Sequence, residues 1–339
     1  MRICYLFNSS TPSSNPGSIQ VVNTCGAIAE LSHNIKLIVP NTGLKISLKK
    51  FYGLKKTPKL VKLKYFNKFP LGLNYYLFSL FSVFYGHVDK TDLYITRNFF
   101  TLFLLNLFNK KVIIEVHHDL KNEGRIVNFL YKKLSIFKNK NILKIVAITN
   151  SVKKYLIKNF DIDQNKIEII PSASALKFKF SKIKNKKEYN IGYFGSLDSS
   201  KGSDFVIKLA NKDNKNKYFI YGGTKEQVIS LKKKNAKKNL QINPSIPYGA
   251  LNKIISKMDI LLMPSNSKKL RALGGIGNIA KYTSPLKLFD YLSSGKLIIS
   301  SNLKVFHEIL ENKKNFIMIN NLKVNNCIKV INNLNLDIS

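Results

Sequence analysis

Tyr282-Thr-Ser-Pro-Leu-Lys-Leu-Phe-Asp-Tyr-Leu-Ser-Ser-Gly-Lys296, running into the apolar Leu297-Ile-Ile-Ser-Ser301, decides how this chain is read. Ser284 has the chemistry of a helix N-cap, and Pro285 suits the first helical position, where its missing N–H is no loss. Leu288, Phe289 and Leu292 form an inward stripe, and Gly295 is placed to end the helix in a left-handed cap. Lys287 then falls in the first turn, where the helix dipole disfavours a cation. An anion there, held by the ammonium and by amides from Ser284 to Leu286, removes the misfit. Asp290 lies three residues on, on roughly the same face, where a carboxylate accepts bonds from a sugar diol. Phosphate donors and a diol acceptor on one helix start point to a nucleoside diphosphate. An ordinary capped helix with a solvated lysine accounts for these residues equally well.

Working outward, Asn190-Ile-Gly-Tyr-Phe-Gly-Ser-Leu197 reads as a buried strand ending in a turn. An amphipathic helix follows from Ser203-Asp204 through Phe205, Val206 and Leu209. Between them, Gly195 and Gly202 permit close backbone approach, and Lys201 stands just ahead of a helix N-terminus, a suitable place to meet phosphate. In a chain this rich in lysine, Lys201 alone is equally a solvated loop residue; its spacing to the two glycines carries the reading.

Together the two segments resemble the nucleotide-sugar motifs of glycosyltransferase family 4, the retaining group with the GT-B fold. That motif has two acids eight residues apart, the second followed five residues later by glycine. Asp290 and Gly295 match the second acid and the glycine, and the Ser-Pro-Leu-Lys-Leu-Phe-Asp-Tyr wording resembles a variant from enzymes of bacterial surface polysaccharide synthesis. Tyr282 occupies the first acid's position, a departure that bears on the sugar contact and leaves the ribose contact intact. The family's glycine loop carries an arginine where this chain has Ser196, so one phosphate contact passes to another cation, Lys287 or Lys281. The resemblance thus implies a donor site of Gly195, Ser196, Lys201, Tyr282, Ser284, Pro285, Leu286, Lys287 and Asp290.

The order of elements agrees. Strands are predicted at 2–7, 35–39, 92–96, 112–115, 142–148 and 167–170, and again at 190–197, 218–221, 240–243, 260–263 and 297–300. Helices separate most of them, the first burying Ile19, Val22, Ile28 and Leu31. Apolar strands alternating with helices predict parallel doubly wound sheets. The expected fold is α/β, the GT-B plan of two Rossmann-like domains facing across a cleft: an acceptor-binding domain over residues 1–175 and a nucleotide-sugar domain over 176–339. The closing run 320–339 leaves the last element open.

With 56 basic against 19 acidic residues the net charge is +37, and only Arg2, Arg97, Arg125 and Arg271 are arginine. Codon bias alone produces such a lysine excess. A functional reading needs charge beside apolar surface, which the stretch 69–85 offers after Lys62, Lys64 and Lys68. Its aromatic residues and basic flanks suit lying in an anionic membrane surface, and equally a buried helix. Cys4, Cys25 and Cys327 give no disulfide framework, and no signal peptide is visible. A cytoplasmic protein, peripheral on the inner face of the membrane, is expected.

In the first half, Val112-Ile-Ile-Glu-Val-His-His-Asp119 ends a predicted strand at the edge where doubly wound sheets bind ligands. It resembles the family's Glu-x-His segment, which places His117 against the donor sugar, with Asp119 free to orient a histidine. Arg97 ends another strand and suits an anionic or hydroxyl-rich acceptor; Gly17 and Ser18, leading into the first helix, are candidates for phosphate or acceptor. Gly275-Ile-Gly-Asn-Ile-Ala280 imitates a dinucleotide loop without a strand running into it, and Asp161-Ile-Asp163 imitates a metal motif without a nearby third ligand. No metal and no cofactor beyond the nucleotide-sugar co-substrate are expected. The leading expectation is therefore a retaining transferase moving a sugar to a hydroxyl of a lipid-linked glycan. An inactive GT-B-like scaffold and a basic nucleic-acid-binding protein remain as alternatives, the latter without any recognised nucleic-acid motif.

Overall fold

The computed structural model describes residues 1–41, 46–64, 71–88, 90–120, 123–179, 185–235, 237–266, 270–271, 278–310, 316–320 and 322–334. The chain divides into two compact units, Met1–Ser172 with Tyr282–Ser284, and Ala173–Lys281 with Pro285–Ser339.

In the first unit the chain runs β1 (Arg2–Leu6), α1 (Pro16–Glu30), β2 (Asn34–Pro40), α2 (Leu48–Tyr52), β3 (Lys59–Leu63), α3 (Leu71–Val88), β4 (Leu93–Thr96), α4 (Phe99–Leu107), β5 (Val112–Val116), α5 (Arg125–Lys133), β6 (Ile142–Ala147), α6 (Asn150–Phe160) and β7 (Ile167–Ile169). The seven strands form one parallel sheet in the order β3-β2-β1-β4-β5-β6-β7. Inner strands covered by helices on both faces are largely apolar, and β4 is buried at every position. The strand β3 was not foreseen because Lys59-Leu-Val-Lys-Leu63 alternates lysine with aliphatics. At a sheet edge, lysine is the residue that discourages further pairing. The buried stripe of α1 runs through Ser18, Ile19, Val22 and Cys25. The expected continuation to Leu31 fails: that residue caps the helix and is 72% exposed.

The second unit runs β8 (Asn190–Phe194), α7 (Ser203–Lys212), β9 (Lys217–Tyr221), α8 (Lys225–Lys234), β10 (Leu240–Asn243), α9 (Leu251–Ile255), β11 (Ile260–Met263), α10 (Leu286–Ser294), β12 (Leu297–Ser301), β13 (Ile317–Ile319) and α11 (Val324–Asn332). Its six parallel strands are ordered β10-β9-β8-β11-β12-β13. The amphipathic α11 packs on α7 through the buried Cys327 and Ile331 and closes the chain where the sequence left the last element open. Both sheets are α/β and doubly wound, and in both the strand order reverses beside the first strand. In such sheets ligands sit outside the carboxyl ends of the strands at that reversal. The loops after β1 and β4, and those after β8 and β11, occupy these positions.

Candidate active site

The loop after β8 is held by its own backbone. The Tyr193 hydroxyl donates to the Ser196 carbonyl at 2.9 Å, and Asp198 accepts the Ser200 N–H at 2.7 Å, starting a single 3-10 turn that ends at Lys201. Gly202 follows with φ +87°, where a Cβ would run into the Pro264 carbonyl. Gly222 at the end of β9 lies so close beneath Gly195 that a side chain there would strike the Gly195 carbonyl. Two glycines are thus required to seat this loop, and α7 opens directly behind it.

Lys287 projects to the same loop from α10. Its Nζ is fully buried, has no hydrogen-bond partner, and lies 4.7 Å from the centre of the Tyr193 ring. A Cβ added to Gly195 would stand 3.5 Å from it. Burial, with Lys201 nearby as the lesser cause, lowers its pKa to about 7. Lys201 is also shifted down by burial, partly offset by Asp198. Two lysines close enough to repel, one of them buried without a hydrogen-bond partner, thus meet at the Gly195 loop. Ser203, first in α7, also has a buried hydroxyl without a partner.

Asp290 stands one turn along α10 and is 4% exposed. Its Oδ1 accepts from the Ser174 hydroxyl at 2.6 Å and from the Tyr248 hydroxyl at 2.7 Å. Burial raises its pKa to about 6 despite these two bonds. Tyr248 in turn accepts the Ala175 N–H. Neither Ser174 nor Tyr248 was singled out in the sequence, since a hydroxyl joining two distant segments leaves no spacing to read.

Ser284 does not cap α10. The helix begins at Leu286 with Pro285 in the cap position and no side-chain cap bond. Ser284 Oγ instead accepts the Ser172 N–H at 3.0 Å, and its carbonyl accepts from the Ser172 hydroxyl at 2.7 Å. A hydroxyl already taken by a backbone amide cannot serve the helix, so the first amides of α10, at Leu286 and Lys287, lack a side-chain cap. Tyr282, at the family's acid position, packs its ring 6.0 Å from Tyr155 within the first unit.

His117 sits just past β5 with Nε2 3.3 Å from Glu115 Oε2. A carboxylate only accepts, so Nε2 carries the hydrogen. Glu115, two residues back on the same face of the strand, is therefore the acid that orients His117, while His118 Nδ1 donates to the Asp119 backbone carbonyl at 2.8 Å. Burial, then Arg97, pushes His117 down to about 4, against the pull of Glu115, so it is neutral at pH 7. Ser18 is fully buried and donates to the Ser10 carbonyl at 2.7 Å. Its hydroxyl helps to build the loop. Gly17 lies beside Arg97. Of the metal-like pair, Asp161 bridges to Lys138 at 2.6 Å and Asp163 caps a short turn. The dinucleotide-like loop falls largely outside the described residues.

Residues 175–337, nearly the whole second unit, match the family described as glycosyl transferases group 1. No curated protein matches the chain. Among solved structures it is similar to Anabaena HepE in complex with UDP-glucose, at 13% identity and a TM-score of 0.64, covering 98% of this chain and 89% of that one. Sucrose-phosphate synthase from Thermosynechococcus elongatus gives 12% identity and a TM-score of 0.68, covering 98% and 90%. WaaG, a glycosyltransferase involved in lipopolysaccharide biosynthesis, gives 11% and 0.64, covering 98% and 89%. At these identities the likeness is one of fold, and the fold is GT-B.

Proposed function

We propose that this nucleotide-sugar-dependent glycosyltransferase, whose second unit matches group 1, moves one sugar with retention to a hydroxyl of a lipid-linked glycan in surface polysaccharide synthesis. The observation that carries the reading is the buried, partnerless ammonium of Lys287 beside the Gly195 loop. It takes the place of the arginine that Ser196 replaces, and with Lys201 and the first amides of α10 it receives the diphosphate. Charge that develops on the leaving diphosphate is met by cations already fixed in place, so no reorganisation is needed as the bond to the sugar breaks. Asp290 takes the ribose hydroxyls, which exchange with Ser174 or Tyr248 as partners. His117 keeps the role the resemblance gives it, contact with the transferred sugar, and being neutral it offers no charge to compete with the phosphates. No metal is assigned, because lysines and helix amides already supply the positive charge.

The lipid-linked acceptor and the peripheral membrane location rest on the first unit. There α3 exposes Phe84 and Val88, 71% and 73% accessible, and Leu107 and Phe108 at the end of α4 are also exposed. Lys110 and Lys111 follow. No described helix is long and apolar enough to cross a membrane. Flotation with vesicles containing anionic lipid, with binding that weakens as salt rises, supports this; no binding at low salt removes it.

The transfer reading is tested by incubating the chain with a panel of nucleotide sugars and measuring released nucleoside diphosphate. Release from one donor, lost in Asp290→Ala, supports it. A fully active Asp290→Ala variant contradicts the site. A chain that binds nucleoside diphosphates and turns over none of the panel is instead the inactive scaffold.

A further inference from the structure

A second histidine–acid pair lies in the first unit, apart from His117 and Glu115. His118 Nε2 stands 3.3 Å from Glu123 Oε1, the two side chains being 33% and 16% exposed. The other Glu123 oxygen, Oε2, accepts from the Tyr75 hydroxyl on α3 at 3.1 Å. Tyr75 in turn accepts the Phe100 N–H, in the first turn of α4, at 3.5 Å. Glu123 therefore ties the loop after β5 to α3. The Phe99 ring stands edge-on to His118, with 6.2 Å between centres. The same loop is held by the Leu120 N–H, which donates to the Tyr155 hydroxyl at 3.1 Å, and by the Glu123 N–H, which donates to the Leu120 carbonyl at 3.0 Å. Besides Tyr75, the titratable groups that face the pair are His117 and Asp119 from its own loop, Tyr131 from α5 and Tyr155 from α6.

Counting hydrogens decides what joins the two side chains. The Asp119 carbonyl only accepts, so His118 Nδ1 carries a hydrogen. A neutral imidazole then has none on Nε2, and an ionised carboxylate has none either. Two acceptors face to face repel, so the contact is a bond only when a proton lies between them. Burial raises the Glu123 carboxyl, while His118 and Tyr75 pull it the other way. We infer that His118 and Glu123 hold one proton in common and act as positioning residues for the loop behind His117. With the proton in place the loop is fastened to α3. When a base in solution removes it, the Nε2 lone pair faces a carboxylate and the fastening opens, so the link is present at lower pH and lost as pH rises. As a proton-sharing pair it stands independently of the transfer reading; its effect on turnover, through His117, rests on that reading.

The experiment reads His118 in the full-length chain by NMR of isotopically labelled histidine, and the loop by amide hydrogen exchange, from about pH 5 to about pH 9, which brackets histidine titration. Neutral His118 should carry its proton on Nδ1; a proton on Nε2 overturns the inference. Exchange protection of the Leu120 and Glu123 amides, corrected for intrinsic rates, should fall at least about tenfold across that range. Glu123→Gln offers an N–H to Nε2 and a carbonyl to Tyr75 at every pH, so its protection should stay level at the low-pH value. Glu123→Ala should be poorly protected throughout. Level protection in the wild type, or Glu123→Gln behaving as Glu123→Ala does, contradicts a shared proton. Turnover tests the positioning role: with a donor that the chain accepts, Glu123→Gln should flatten the alkaline fall in kcat while KM for donor holds. Identical alkaline limbs in wild type and Glu123→Gln overturn that role. If no donor is turned over, the transfer reading fails, and the exchange and NMR results still decide the pair.

Discussion

Replacing Lys287 with methionine keeps most of the stem's volume and removes only the charge. An ammonium whose pKa falls from 10.5 to about 7 costs the folded chain about 4 kcal/mol at pH 7, at roughly 1.4 kcal/mol for each tenfold change. Water penetration and relaxation reduce that figure, so a gain of about 2–4 kcal/mol is expected for Lys287→Met without ligand. The sign follows from linkage: the unfolded lysine is protonated up to about pH 10.5, the folded one only up to about 7. The cost is therefore complete below pH 7, declines between 7 and 10.5, and is gone above. Thermal melts should show the variant several degrees more stable at pH 6–7, with the gap closing toward pH 10. Nucleoside diphosphate should reverse the order, because only the wild type gains a buried ion pair. At pH 8 the wild-type lysine is mostly neutral, so binding should take up close to one proton, measured by calorimetry in buffers of different ionisation enthalpy. The variant should take up none and bind about 10–100-fold more weakly. Equal stability at pH 7, together with equal proton uptake, would refute the assignment of Lys287 to the diphosphate.

Three further variants have expected outcomes. Asp290→Asn keeps the Ser174 and Tyr248 bonds without the buried charge; since burial raises the carboxyl to about 6, the variant should gain about 2–3 kcal/mol at pH 7–8, a gain that disappears near pH 4 where the wild type is protonated too. The same variant should lose donor turnover by at least about a hundredfold, as a purely structural acid would not. Tyr248→Phe removes one of the two bonds that hold the Asp290 carboxylate, so the acid limb of the activity profile should move to higher pH, with KM for donor rising more than kcat falls. Ser196→Arg should do little or harm on its own, by crowding a third cation beside Lys201 and Lys287, yet restore at least about tenfold of the donor affinity lost in Lys287→Met; a double-mutant cycle showing simple additivity would mean the two positions do not substitute for one another.

Most strands were legible from their apolar residues: Ile260–Met263, buried at every position, and the edge strand Leu240–Asn243, which alternates buried Leu240 and Ile242 with polar residues, were placed residue for residue. What failed was local chemistry decided by distant partners. Ser284 has every property of an N-cap, but its hydroxyl accepts from Ser172, and the helix starts one residue later than Ser284 invites. The edge strand Lys59–Leu63 and the short α5, with Gly124 at its cap, lack the apolar continuity that marked the others. The misfit of Lys287 in the first turn of α10 was readable; its perch on Tyr193 was not, because two residues 94 positions apart share no pattern.

The most direct measurement is a crystal structure of the chain with the nucleoside diphosphate it binds best. Phosphate oxygens within about 3.2 Å of both Lys287 Nζ and Lys201 Nζ, with the ribose hydroxyls on Asp290, are the expected result. A diphosphate seated elsewhere, with Lys287 still partnerless over the Tyr193 ring, would contradict it.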